Sequence, residues 1–245
     1  MLCGVDFVSI PGLNGPNIGR FWASLPAEFA QCDVLARPSP PLSIINTSVE
    51  PRVWLTEPTG IWLLQIQNDR MVLNWRRKGE STEYPRYKNI AAKFRTYLQA
   101  LQTFLKAELM AEWQPTVLQI CYVNQIPVPS GTEDFSDLFP DLTWRASGPR
   151  FLPSPEALAL NASFALPGEF GRLFAAIKSP VQGLLGSCDH PVIQFELTIV
   201  GESRGGSDNE AIFTWFDDAN IFINAAFVDL TGRAVRKDQK GGHAE

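Results

Sequence analysis

Ile61-Trp-Leu-Leu-Gln-Ile-Gln-Asn-Asp-Arg-Met-Val-Leu-Asn-Trp75 is the stretch that decides the fold class. Two runs rich in β-branched and aromatic residues flank Asn68-Asp69, a pair that tolerates positive φ and so suits a tight primed turn. Strand periodicity puts Trp62, Leu64 and Ile66 on one face and Leu63, Gln65 and Gln67 on the other. Met71 and Leu73 share a face of the returning strand, with Val72 and Asn74 opposite. Arg52 to Thr56 reads as a third strand of the same meander.

Working outward, Val5 to Ile10 reads as a short strand ended by Pro11-Gly12. Asn14 to Ser24 reads as a helix, with Asn14 as cap, Pro16 in the first turn, and Ile18, Phe21, Trp22 and Leu25 as its apolar stripe. Arg37-Pro-Ser-Pro-Pro41 is a stiff connector. After Tyr84-Pro-Arg-Tyr87, apolar residues from Phe94 to Leu109 recur at three and four, predicting a long helix that ends near Trp113, before Gln114-Pro115. Val117–Ile126, Leu158–Leu166 and Val192–Glu202 read as strands, and Ser130–Pro155 as irregular backbone with one helical turn at 135–139. Ser207-Asp-Asn-Glu210 matches a capping box and opens a second long helix, from Ile212 to Leu230. The expected class is therefore α+β: antiparallel sheet meanders covered by two long amphipathic helices, organised as two related halves. The boundaries are a single domain over 1–245, pseudo-halves 1–115 and 116–235, and a flexible tail over 236–245.

Composition narrows the chemistry. The 245 residues are 45% hydrophobic and 19% charged, enough apolar material for a real core. A net charge of −5 argues against a strongly basic nucleic-acid module. The four cysteines, Cys3, Cys32, Cys121 and Cys188, show no paired spacing and read as reduced thiols. No signal-peptide pattern and no run of about 20 apolar residues occurs, so the expectation is a cytoplasmic protein without membrane contact. His190, beside Asp189 in a turn, and His243 in the tail are the two histidines, too few for a His-rich metal site. No G-x-S-x-G elbow, phosphate loop or dinucleotide loop is present, and Gly183 to Ser187 is a loop rather than an elbow. No catalytic residue, metal site or cofactor is assigned, and the balance leans away from an enzyme.

Two groups of residues stand out. Arg70, Arg76, Arg77, Lys78, Arg86 and Lys88 interleave with Trp75, Tyr84 and Tyr87. Cations among aromatics suit either the acidic face of a protein partner or phosphate groups. Asn74, Asn124, Glu196 and Asp217 are polar residues on predicted strands and a helix, and they form the best small-ligand pocket the residues offer. Asp217 and Asp218 otherwise mark a solvated helix face.

The order of motifs resembles a sporadically distributed prokaryotic family of about this length with no assigned activity. The features shared are the helix ending Phe21-Trp22, the hairpin ending Leu73-Asn74-Trp75, Tyr84-Pro-x-Tyr87, the strand Tyr122-x-Asn124-x-Ile126, and Trp215-x-Asp217-x-Ala219 in the last helix. Two departures stand against it: Cys121 precedes Tyr122 where the family often has Arg, and Asn220 replaces a frequent His. The resemblance implies an antiphage-defence, toxin–antitoxin-like or regulatory setting beside mobile genes. Together these readings favour a non-enzymatic protein that binds a protein partner, one encoded by a neighbouring gene. The alternatives are an RNA- or nucleotide-binding protein, as a metal-independent nuclease, and a small-molecule sensor.

Overall fold

Strand β1 (Leu2–Phe7) lies beside β5 (Arg70–Trp75), with Cys3 opposite Leu73 and Val5 opposite Met71. The computed structural model describes residues 1–26, 28–35, 52–79, 82–127, 138–141, 151, 158–181, 192–233 and 235. The remaining elements are α1 (Gly15–Ser24), β2 (Gln31–Leu35), β3 (Arg52–Thr56), β4 (Trp62–Gln67), α2 (Arg86–Glu108), β6 (Pro115–Pro127), β7 (Leu158–Ala165), β8 (Arg172–Val181), β9 (Val192–Glu202) and α3 (Asn209–Leu230). The class is α+β. Among the described residues, nine strands form one antiparallel sheet in the order β2-β3-β4-β5-β1-β6-β9-β8-β7.

Two compact units divide the chain: Met1–Ile120 with Val200–Asp217, and Cys121–Ile199 with Asp218–Glu245. The division runs through β6, β9 and α3, so the units are not consecutive stretches of chain.

In the first unit, the predicted faces of the hairpin hold. Trp62, Leu64 and Ile66 pair with Trp75, Leu73 and Met71. Lys93 of α2 lies over the Trp62 ring, which marks this as the helix side of the sheet. Helix α2 buries Ile90, Phe94, Tyr97, Leu98, Leu101 and Leu105, residues recurring at helical spacing. Phe94 stands edge-on to Phe216 at 5.4 Å, and Phe21 of α1 meets Phe104 at 5.5 Å. Asn14 caps α1 by accepting from the Asn17 N–H at 3.2 Å, as its position predicts.

In the second unit, Phe195 packs against Phe139 at 5.2 Å and Phe227 at 5.9 Å. Phe170 stands edge-on to Phe222 at 4.9 Å, and Leu173, Ala175 and Ile177 of β8 are buried.

Several expectations are corrected. The β4–β5 loop has two residues, yet neither Asn68 nor Asp69 has positive φ, so the turn is not primed. Its carbonyls are held from outside: Ile10 N–H donates to Asn68 O at 2.8 Å and Phe7 N–H to Asp69 O at 2.9 Å. These tertiary bonds set the turn in place of intrinsic preference. Helix α2 stops at Glu108 rather than near Trp113, and Met110 takes φ 48°, which closes the helix before the proline is reached. Asp208, not Ser207, serves the start of α3, its carboxylate accepting from Glu210 N–H at 3.0 Å. Strands β2 and β8 are additions that periodicity did not reveal. The connector at 37–41, Cys188, His190, His243, the loop 183–187, the tail 236–245 and most of 130–155 lie outside the described residues.

Two outcomes test this packing. Phe94→Ala empties a fully buried aromatic site and is expected to lose about 3–5 kcal/mol, read as a lowered denaturation midpoint by circular dichroism. Burial pushes the Cys3 and Cys121 thiols up to about 12. Both are therefore expected to resist iodoacetamide at pH 8 in the folded protein and to react once it is denatured, as peptide mass spectrometry reads directly.

Candidate functional site: a basic rim on an aromatic clamp

Strand β5 ends in Trp75, whose backbone is locked to the chain start. Trp75 N–H donates to Met1 O at 2.9 Å, and the Met1 ammonium donates to Trp75 O at 3.1 Å. The Trp75 ring stands edge-on to Tyr84 with centroids 5.2 Å apart, which fastens the two ends of the intervening loop together. The Tyr84 hydroxyl meets the Met1 sulfur at 3.1 Å. Tyr87, in the first turn of α2, donates to Asp217 Oδ1 at 2.7 Å. Burial first, and then that carboxylate, push the Tyr87 phenol well above its ordinary range. All three aromatics are half-buried and held by partners in the fold, so they brace the segment.

Cations occupy its outside. Arg76, Arg77, Lys78, Arg86 and Lys88 are exposed. Arg76 N–H donates to Ile61 O at 2.8 Å, prolonging the hairpin ladder by one bond. Arg77 Nε donates to Gly79 O at 3.2 Å. The Lys78 ammonium lies 2.9 Å from where a Cβ on Gly60 would sit, so that glycine (φ 68°) leaves the room the lysine uses. Helix α2 begins at Arg86 with φ 64°, and Pro85 before it offers no side-chain cap.

Arg70 does not belong to this group. It sits at the other end of β5 from Trp75, on the opposite face of the strand. There it pairs with Asp6 directly across the ladder, through its Nε and through Nη2 to Oδ2 at 2.9 Å. Neighbouring numbers placed it in the cluster, and strand geometry removes it.

The four pocket residues fall two in each unit. In the first unit, Asn74 lies opposite Leu63, on the face turned away from Trp75 and the helices, whereas Asp217 is held by Tyr87 of α2. In the second unit, Tyr122 reaches Asn220 of α3 at 2.7 Å, so Asn124, two residues on, shares the helix side. Asn124 Nδ2 bonds Phe195 O at 3.5 Å. Glu196 points to the other side from Phe195 and accepts from Thr198 at 3.3 Å. Within each unit the two residues face opposite sides of the sheet. Among the described residues, no three of His, Cys, Asp and Glu gather as a metal would need.

The clamp itself was missed in the sequence, because Met1 and Asp217 become partners only through long-range folding. The recurrent placement of Tyr84, Tyr87 and Trp75 was its one visible sign. Compared with protein-family models, curated proteins and solved structures, the chain matches none.

Tyr87→Phe removes the Asp217 bond and is expected to lose about 1 kcal/mol in urea unfolding at neutral pH. The unfolded phenol ionises near pH 10 while the folded one keeps its proton, so stability attributable to Tyr87 is complete below that pH and is lost as pH rises. The gap between wild type and variant is therefore expected to be constant below about pH 10 and to shrink above it.

Proposed function

We propose that the chain is a non-enzymatic interaction protein of a prokaryotic defence or toxin–antitoxin-like system, and that it grips an acidic protein surface with residues 76–88. The observation that carries the reading is charge segregation on a braced segment. Residues 76–88 hold five cations (Arg76, Arg77, Lys78, Arg86 and Lys88) against two acids (Glu80 and Glu83), net +3 in a chain of net −5. The aromatics beneath are engaged within the fold, so recognition rests on the charges, and holding Trp75, Tyr84 and Tyr87 in place lowers the entropy lost on docking. The defence setting rests on the motif resemblance, and the partner is a protein encoded nearby.

The finer architecture belongs to the same reading. Both α2 and α3 act as amphipathic covers over antiparallel meanders, and the chain is built as two related halves, 1–115 and 116–235. Support comes from the order of elements, in which a strand, a meander and a long helix occur twice. The strand order also reads symmetrically outward from β1 and β6, through β5 and β9, β4 and β8, β3 and β7.

Co-purification from the native operon tests the function. Arg76→Glu with Arg77→Glu is expected to weaken partner capture by at least about tenfold, or 1.4 kcal/mol, with the thermal midpoint unchanged. A folded double variant that keeps every partner overturns the assigned surface. The same rim also fits phosphate, the RNA reading. Retention of labelled RNA at low salt that collapses steeply at moderate salt would favour it over the protein partner.

A further inference from the structure

We infer that β7 is a homodimerisation edge, across which a second copy of this chain extends the sheet. The strand is the last in the sheet order, and its eight residues, Leu-Ala-Leu-Asn-Ala-Ser-Phe-Ala, carry no charge and no proline. Natural edges are ordinarily blunted by charge, proline or brevity. The opposite edge, β2, shows two of these devices, being five residues long and carrying Asp33. Strand β7 shows none. Phe164 is 42% exposed on it.

Among the described residues no strand pairs with the outer side of β7, and the hydrogen-bond phase fixes which of its groups point there. Leu166 N–H donates to Gly171 O at 2.9 Å, and Ala165 stands opposite Arg172. Bonded pairs recur at every second residue of an antiparallel ladder. Residues 158, 160, 162 and 164 therefore bond toward β8, while Ala159, Asn161, Ser163 and Ala165 aim their N–H and C=O groups outward.

Self-pairing satisfies that pattern. A two-fold axis perpendicular to the sheet runs two copies of β7 antiparallel and keeps the faces of both sheets matched. Centred on Ala162, it sets Asn161 against Ser163 of the second copy and Ala159 against Ala165, the outward-bonding residues meeting one another. On the other face Leu160 meets Phe164 of the second copy, and Ala162 meets its own counterpart. Each cross-strand pair joins like chemistry: amide with hydroxyl, aliphatic with aromatic, methyl with methyl. The charges bordering β7 are cations of β8: Arg172 donates to Ser163 Oγ at 3.2 Å, and Lys178 stands opposite Ala159, so the Ser163 hydroxyl keeps its own proton to give to Asn161 of the second copy.

The experiment is sedimentation or light scattering of the full chain at micromolar concentration. The expected mass is twice 27.2 kDa. Asn161→Pro and Ser163→Pro each delete an outward donor and leave the β7–β8 bonds intact, so both are expected to halve the mass. Ala162→Cys is expected to form a disulfide between copies under mild oxidation, since facing Cβ atoms at a non-bonded pair are about 4.5–5.5 Å apart; the wild-type chain serves as the control for its own thiols. This arm holds even if a proline variant fails to fold. A wild-type monomer throughout the concentration range overturns the proposal. So does a dimer that survives both proline variants, or one that the Ala162→Cys substitution fails to cross-link. A monomer that instead takes up an extended peptide of another protein along β7 also overturns it.

Discussion

Placing the N-terminal strand in the interior of the sheet is the constraint on which the rest depends. Strand β1 pairs with residues about seventy positions away, and that closure costs chain entropy before any contact returns it. The return comes from Cys3, Val5 and Phe7, all buried, and from Leu73 and Met71 opposite them. Tolerance along this seam is small. A Cβ on Gly4 would come within 3.2 Å of the Val72 side chain, so any larger residue there obliges that side chain to shift. With β1 seated, the Met1–Trp75 bonds follow, and with them the clamp that carries the basic rim.

The ionic contacts of the first unit are peripheral to this. Glu28 accepts from both Lys93 and Tyr97, and these bonds hold its carboxyl below the usual range. Lys93 also lies over the rings of Trp62 and Tyr97. Such partly exposed pairs contribute modestly and act more as guides to orientation than as sources of stability. The apolar stripe of α2 supplies the larger share.

Legibility in the sequence followed locality. The hairpin from Trp62 to Trp75 is readable face by face, because a two-residue loop between two six-residue arms fixes the register. Strand β8 was not, since Arg172, Lys178 and Pro180 dilute its alternation, and β2 was too short and mixed to register. The turn at Asn68-Asp69 had the right length and the wrong geometry, its conformation being decided by the backbone of residues 7–10. The site divided in the same way. Arg76, Arg77, Lys78, Arg86 and Lys88 are exposed, while Arg70 pairs with Asp6 at the other end of β5, because proximity along a strand says nothing of which end or face a residue occupies. Within each unit the two polar residues, Asn74 with Asp217 and Asn124 with Glu196, fall on opposite sides of the sheet for that reason also.

Arg86 carries a consequence of its own. A side chain held at φ 64° sacrifices on the order of 1 kcal/mol that glycine would spare. The side chain that accepts this cost is one of the exposed cations of the rim. The guanidinium is thus displayed at a bend that aims it differently from a residue one turn into the helix, and local comfort has been traded for direction.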